Sequence, residues 1–252
     1  MLGDIFGRPG REIVRDYLPK IKREHNPDVI IANGENAAGG FGLTRKIATQ
    51  LFEMGIDVIT SGNHVWDQKE MMAYIQEEPR ILRPANYPTG VPGNYLCYVD
   101  LGPYLVAVVN LSGRVYMADF DCPFTKMEEI LTEVKERTKF IVVDFHAEAT
   151  SEKIAFAMFM DGKVSIIAGT HTHVPTADYR VLPQGTAYIT DLGMCGPLNG
   201  VLGVDKDTVI HKFLTQLPVR FSVAKGPSQL WGILVDLDAS GKAINIQQIN
   251  YE

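Results

Sequence analysis

An α/β fold is predicted by three features of the sequence. Short apolar runs alternate with amphipathic helical segments, and the apolar runs end in glycine-rich polar turns. Of the 252 residues, 46% are hydrophobic and 21% charged, enough apolar side chains for a sizeable core. One domain over residues 1–252 is expected, with no repeat, low-complexity tract or linker to divide it. The last third reads as short strands around one helix, so part of the sheet system is expected to be antiparallel or mixed.

Only Met1 and Leu2 precede the first turn, Gly3-Asp4, whereas a buried strand usually takes about four to eight residues. The expectation is a start that is truncated or assigned late. A helix follows over 10–25, with Ile13, Val14, Tyr17, Leu18 and Ile21 on one face. A strand over 28–33 leads into a turn rich in glycine (Gly39, Gly40, Gly42), and Thr44 is positioned to cap a helix running to about 54. A strand at 57–61 precedes a helix at 68–77. Strands near 95–99 and 104–111, a helix at 126–137, and strands at 139–144 and 163–168 continue the series, with a last helix at 205–216. Residues 112–124 suit neither helix nor strand and are expected to form a lid or cap.

A formal net charge of −6 and a pI near 5.5 argue against an extended nucleic-acid surface. A small anionic substrate would need local positive charge, which metal ions can supply. Cys97, Cys122 and Cys195 are widely spaced and outside any CxxC pattern, as expected of three reduced, mostly buried thiols. No apolar stretch reaches the roughly 18 residues of a membrane span and no signal-peptide pattern opens the chain, so a cytoplasmic protein is expected. Association with further copies of the chain is compatible with this composition.

The chemistry-bearing residues cluster where apolar runs stop. Asp4 follows the first, Gly34-Glu35-Asn36 the second and Gly62-Asn63-His64 the third. Asp144-Phe145-His146 closes a fourth, and Gly169-Thr170-His171-Thr172-His173 follows a fifth. Ligands of α/β sheets bind beyond the carboxyl ends of strands. Five such ends converging on one mouth would gather carboxylate, amide and imidazole groups without a thiolate, as in an oxygen- and nitrogen-ligated metal centre.

Each motif alone has a plainer reading. Gly62-Asn63-His64 reads equally as a turn with a capping Asn, Asp4 and Glu35 as cap or turn residues, and Glu148 as a support for His146 or a structural group. Gly39-Gly40-Phe41-Gly42 could cradle a phosphate but reads more simply as a flexible loop. What favours a metal centre is the coincidence: four of the six histidines (His64, His146, His171, His173) lie just past apolar runs, while His25 and His211 fall in helical segments. There is no GxSxG elbow, no Walker A sequence and no distinctive Cys-His pairing.

The order Asp, acidic-Asn, Gly-Asn-His, His, Gly-x-His-x-His resembles the calcineurin-like metallophosphoesterase superfamily. Longer stretches narrow the match: Asn-Gly-Glu-Asn-Ala-Ala (33–38), Ser-Gly-Asn-His-Val-Trp-Asp (61–67), Arg-Pro-Ala-Asn (83–86) and Asp-Phe-His-Ala-Glu-Ala-Thr-Ser-Glu-Lys (144–153). Gly-Thr-His-Thr-His-Val (169–174) and Leu-Pro-Gln-Gly-Thr-Ala-Tyr-Ile-Thr-Asp-Leu-Gly-Met (182–194) add to it. With these the whole chain resembles the YmdB-type branch of 2′,3′-cyclic-nucleotide phosphodiesterases. The resemblance implies an α/β/β/α sandwich of two mixed sheets flanked by helices.

It also implies two metal ions, iron in members of the family, with manganese or zinc also compatible with nitrogen and oxygen ligands. Asp4, Glu35, Asn36 and His173 would hold one ion. Glu35, as a bridge, with Asn63, His146 and His171 would hold the other, and His64 would be the proton donor. The superfamily often has a histidine where this chain has Phe6, a place for which Asn36 would compensate. The implied reaction is attack by a metal-bridging hydroxide on a cyclic nucleotide, giving a nucleoside 3′-phosphate. A broader phosphomonoesterase or phosphodiesterase is the alternative. Two other classes compete: a mononuclear iron oxygenase, which leaves Asn36, Asn63 and a third histidine unexplained, and a regulatory protein using metals structurally with weak turnover.

Overall fold

The structure is a computed structural model that describes residues 1–252. In chain order its elements are β1 (Asp4–Ile5), α1 (Gly7–His25), β2 (Ile31–Asn33), α2 (Arg45–Met54), β3 (Val58–Thr60), α3 (Met71–Glu77) and β4 (Ile81–Leu82). Next come β5 (Leu96–Asp100), β6 (Leu105–Ser112), α4 (Pro123–Arg137), β7 (Phe140–His146), α5 (Thr150–Met160) and β8 (Ile166–Thr170). The chain finishes with β9 (Arg180–Val181), β10 (Ala187–Ile189), β11 (Met194–Pro197), α6 (Lys206–Thr215), β12 (Ser228–Leu237) and β13 (Ala243–Tyr251).

Two mixed sheets stack face to face. In one, the ladder β2-β3-β4 is parallel, and Leu2 joins it to β12 by bridging Ala32 on one side and Gly232 on the other. Strand β1 pairs in parallel with β11, which continues antiparallel into β12 and β13. The other sheet has the order β5-β6-β7-β8-β10-β9, parallel in its centre and antiparallel at both edges. Between the sheets lie Ile31, Val58 and Leu82 from the first and Val106, Val108, Phe140 and Val142 from the second.

The opposite faces carry the helices. Ile13, Val14, Leu18, Ile21, Ala48, Leu51, Met71 and Ile75 cover the first sheet, and Met127, Ile130, Leu131, Val134, Phe156 and Ala157 cover the second. The period-2 alternation of β6 produces both layers, with Val106 and Val108 facing one way and Ala107 and Val109 the other. The result is the α/β/β/α arrangement expected from the sequence. No helix is long and apolar enough to cross a membrane.

The differences from the sequence reading have local causes. The first strand is not absent but displaced: Asp4 lies inside it, opposite Met194, rather than beyond its end. Helix α1 starts at Gly7, three residues early, and α4 at Pro123, where proline's fixed φ suits a first turn. Thr44 does cap α2, its hydroxyl accepting from the Ile47 amide at 3.3 Å. Helix α5 has no counterpart in the sequence reading because its pattern is inverted. It buries Glu152 and Lys153 beside Phe156 and exposes Ile154, Met158 and Phe159, so no apolar stripe marks its inner face.

Residues 113–122 form neither helix nor strand and follow β6 beside the end of β7. Asn86 ties both ends of this segment, donating to the carbonyls of Ser112 at 2.8 Å and Asp121 at 2.9 Å. The buried Glu152 carboxylate accepts the amides of Arg114 and Val115.

Candidate metal centre

The strand ends named above meet at one mouth. Asn63 follows β3, His146 is the last residue of β7, His171 follows β8, and Glu35 follows β2. Around His146 Nε2 stand Asn63 Oδ1 at 3.0 Å, Glu35 Oε1 at 3.1 Å and His171 Nδ1 at 3.1 Å. Donor atoms about 2.1 Å from an ion in cis octahedral positions lie about 3.0 Å apart, so this spacing suits a first-row metal. The close approach requires Gly62, since a Cβ there would lie 2.1 Å from the His146 ring.

The remaining expected ligands stand alongside. Asn36 Nδ2 is 3.1 Å from His173 Nε2 and 3.3 Å from Glu35 Oε1, so this one carboxylate oxygen touches both groups of residues. Turning the Asn36 amide about its own axis would present its oxygen at the same place. Asp4 Oδ2 accepts the His171 amide at 3.3 Å, while Asp4 Oδ1, fully buried, has no hydrogen-bond partner. Its nearest cationic candidate is His173 Nε2, at 3.8 Å. A buried carboxylate oxygen left unpaired is costly, and a cation at this point would remove the penalty. The donor set therefore fits divalent metal.

Each imidazole is aimed by its other ring nitrogen. His146 Nδ1 lies 2.9 Å from Thr170 Oγ1, whose hydroxyl donates to Asp144 Oδ1 at 2.7 Å and so accepts from the ring. His171 Nε2 faces Glu148 at 3.1 Å, and His173 Nδ1 faces the Leu202 carbonyl at 3.0 Å. In the neutral, ligating tautomer each ring would hold its proton away from the centre and point a lone pair toward it. Glu148, left open by the sequence, thus orients His171 rather than His146. Asp144 itself is buried among Thr60, Thr170 and Asn33.

His64 stands apart from these atoms. Its amide donates to Glu35 Oε2 at 3.1 Å, while its ring pairs through Nδ1 with Asp67 at 2.8 Å and packs edge-on against Phe41. Phe6, in place of a superfamily histidine, packs its ring against His173 with centroids 5.5 Å apart.

Burial pushes the Asp4 carboxyl well above the usual carboxylate range, more than His146 can offset, with Asp191, Glu35 and Asp144 adding to it. Burial would raise Glu35 too, but the charge and hydrogen bond of His146 and the His64 contacts bring it to about 2. Burial disfavours the His146 imidazolium, yet Glu35 first, then Asp4 and Asp144, lift it to about 9. His171 is pushed down to about 3 by burial and then by His146, and His173 is lowered by burial.

The Leu202 carbonyl and the Thr170–Asp144 relay were not found from the sequence. Leu202 is 29 residues from His173 and acts through its backbone, which carries no side-chain signal. Asp144 did carry one, since a residue two before His146 on one strand shares its face.

Comparison with known proteins gives a consistent result. A family model described as YmdB-like protein matches residues 1–249. A Bacillus subtilis (strain 168) protein named 2′,3′-cyclic-nucleotide 2′-phosphodiesterase is 50% identical over 249 residues, 98% of this chain and 94% of its own. A crystal structure titled as a novel phosphatase from Mycoplasma pneumoniae superposes with a TM-score of 0.94 at 37% identity, covering 99% of this chain and 91% of that one. A putative 5′-nucleotidase from Staphylococcus aureus shares the fold alone, with a TM-score of 0.60 at 15% identity over 94% of this chain and 48% of its own.

Proposed function

Because the chain belongs to the YmdB-like protein family, we propose that it is a metal-dependent phosphodiesterase that opens 2′,3′-cyclic nucleotides at the 2′ bond to leave nucleoside 3′-phosphates. The observation that carries this is the set of three histidines, each tethered through one ring nitrogen and offering the other to a common centre. Glu35, Asn63, His146 and His171 form one ligand set, and Asp4, Asn36 and His173 with the shared Glu35 form the second. Two ions so held, iron or alternatively manganese or zinc, would supply charge neutralisation for a phosphodiester monoanion and would lower the pKa of a water toward about 7 so that it could act as the nucleophile.

The chain's own residues do the rest. Glu35 Oε1 touches both sets and so fixes their separation. Glu148, Thr170 and the Leu202 carbonyl keep the imidazoles in the ligating tautomer. His64 lies beside the mouth with Nε2 free of any protein partner and Nδ1 held by Asp67, which suits protonation of the leaving ribose oxygen. In-line displacement expels only the oxygen opposite the nucleophile, and one fixed site therefore gives one isomer.

Chromatography of the products from 2′,3′-cyclic AMP tests the reading. The expected result is 3′-AMP alone. A near-equal mixture of 2′- and 3′-AMP would contradict a single bound pose. No hydrolysis of any cyclic nucleotide, with good activity on monoesters, would make the protein a phosphomonoesterase.

A further inference from the structure

The glycine-rich turn at 39–42 is a sequence motif that the proposed chemistry leaves unused. Its three glycines adopt φ of +68° (Gly39), +99° (Gly40) and +76° (Gly42), a region that other residues rarely enter. Gly40 is packed against the Phe6 ring and Gly42 against Gln68, which also donates to the Phe41 carbonyl at 2.8 Å. The turn is thus a built loop, and what it presents is Phe41. That ring takes no part in the hydrophobic core, unlike its neighbour Leu43, and remains 37% exposed. It stands against His64, ring centroids 5.2 Å apart and planes at 77°.

We propose that Phe41 is the platform on which the nucleobase of the substrate stacks, and so a specificity-determining residue. The inference rests on the cyclic-nucleotide reading and on the position of the acid. The oxygen that His64 protonates is the ribose 2′ oxygen, and the carbon next to its own carries the base. A nucleotide placed for transfer of the His64 proton therefore brings its base out beside His64, where the fold supplies the partly exposed Phe41 ring. Stacking on phenylalanine uses the π-face that every base has and reads no hydrogen-bonding edge, so all four bases are accepted and purines bind best.

The test compares Phe41→Ala and Phe41→Trp with the wild type on 2′,3′-cyclic AMP and on glycerol 1,2-cyclic phosphate, a five-membered cyclic diester without a base. Phe41→Ala should raise KM for the nucleotide about 5- to 150-fold with little change in kcat. Phe41→Trp should restore it, and the base-free diester should be cleaved alike by all three. Calorimetry should show the same weakening for 3′-AMP and none for inorganic phosphate. Equal losses on both diesters would make Phe41 a support for His64, and unchanged nucleotide kinetics would remove the platform; either overturns the proposal while leaving the function standing. A wild type that cleaves the base-free diester but not 2′,3′-cyclic AMP would overturn the nucleotide reading and the platform together.

Discussion

His64 and Asn63 are chain neighbours with opposite assignments: Asn63 Oδ1 faces His146, whereas the His64 ring faces Asp67. His64→Ala should therefore retain the metal content of the wild type and lose about 10²–10⁴ in rate on substrates with poor leaving groups. Turnover of p-nitrophenyl esters, whose leaving group hardly needs a proton, should survive better. Elemental analysis beside the two rate measurements decides it, and a collapse of metal content would make His64 a ligand. The sequence made these residues legible because imidazole, amide and carboxylate groups rarely crowd the ends of apolar runs without a common purpose. It did not disclose their supports, because Thr170 is an ordinary strand threonine until Asp144 and His146 are seen on either side of it.

The segment after β8 shows what an element must supply for such residues to be held. His171 and His173 have φ of +99° and +64°, left-handed values that cost a non-glycine residue about 1–3 kcal/mol each and persist only where the surroundings impose them. Here the imposing group is a buried ion pair. Lys153, from α5, donates to the Thr170 carbonyl at 2.8 Å and to Asp191 at 2.7 Å, and Asp191 accepts the Thr172 amide at 3.1 Å. Both backbone groups flanking His171 are thereby fixed. Lys153→Met should cost about 3–5 kcal/mol in urea unfolding, since it strands a buried carboxylate. It should also weaken binding of Mn²⁺ to the metal-free protein about 10–100-fold, the usual effect of losing a group that orients a ligand. Undiminished Mn²⁺ affinity in the folded variant would restrict the pair to stability. Helix α5 was illegible for the same reason that it matters, because the charge it buries serves the loop rather than the core.

In the whole molecule the centre lies across the gap between the sheets, with Asp4, Glu35 and Asn63 from one and His146 and His171 from the other. Metal would then add a cross-link between layers already joined by an apolar seam and by Asp144, which accepts from Asn33 and Thr60. At a free concentration 100 times its Kd, metal binding contributes about 2.7 kcal/mol, a rise of about 5–10 °C in Tm for a chain of this size. Chelation should remove that increment from the wild type and leave Glu35→Ala unaffected, as scanning calorimetry would show. Alternating apolar patterns made the layers legible, but not the pairing of the chain's beginning with its far end, because register across such separations leaves no periodic mark. That pairing sets an order of events during synthesis. Leu2 is seated between Ala32 and Gly232, and Asp4 lies opposite Met194. At about 5–20 residues per second, the ribosome takes on the order of ten to fifty seconds to deliver these partners. Glu35, Asn63 and His146 can come together before then, but Asp4, the earliest translated of the proposed ligands, cannot pair with Met194 until that strand has been made.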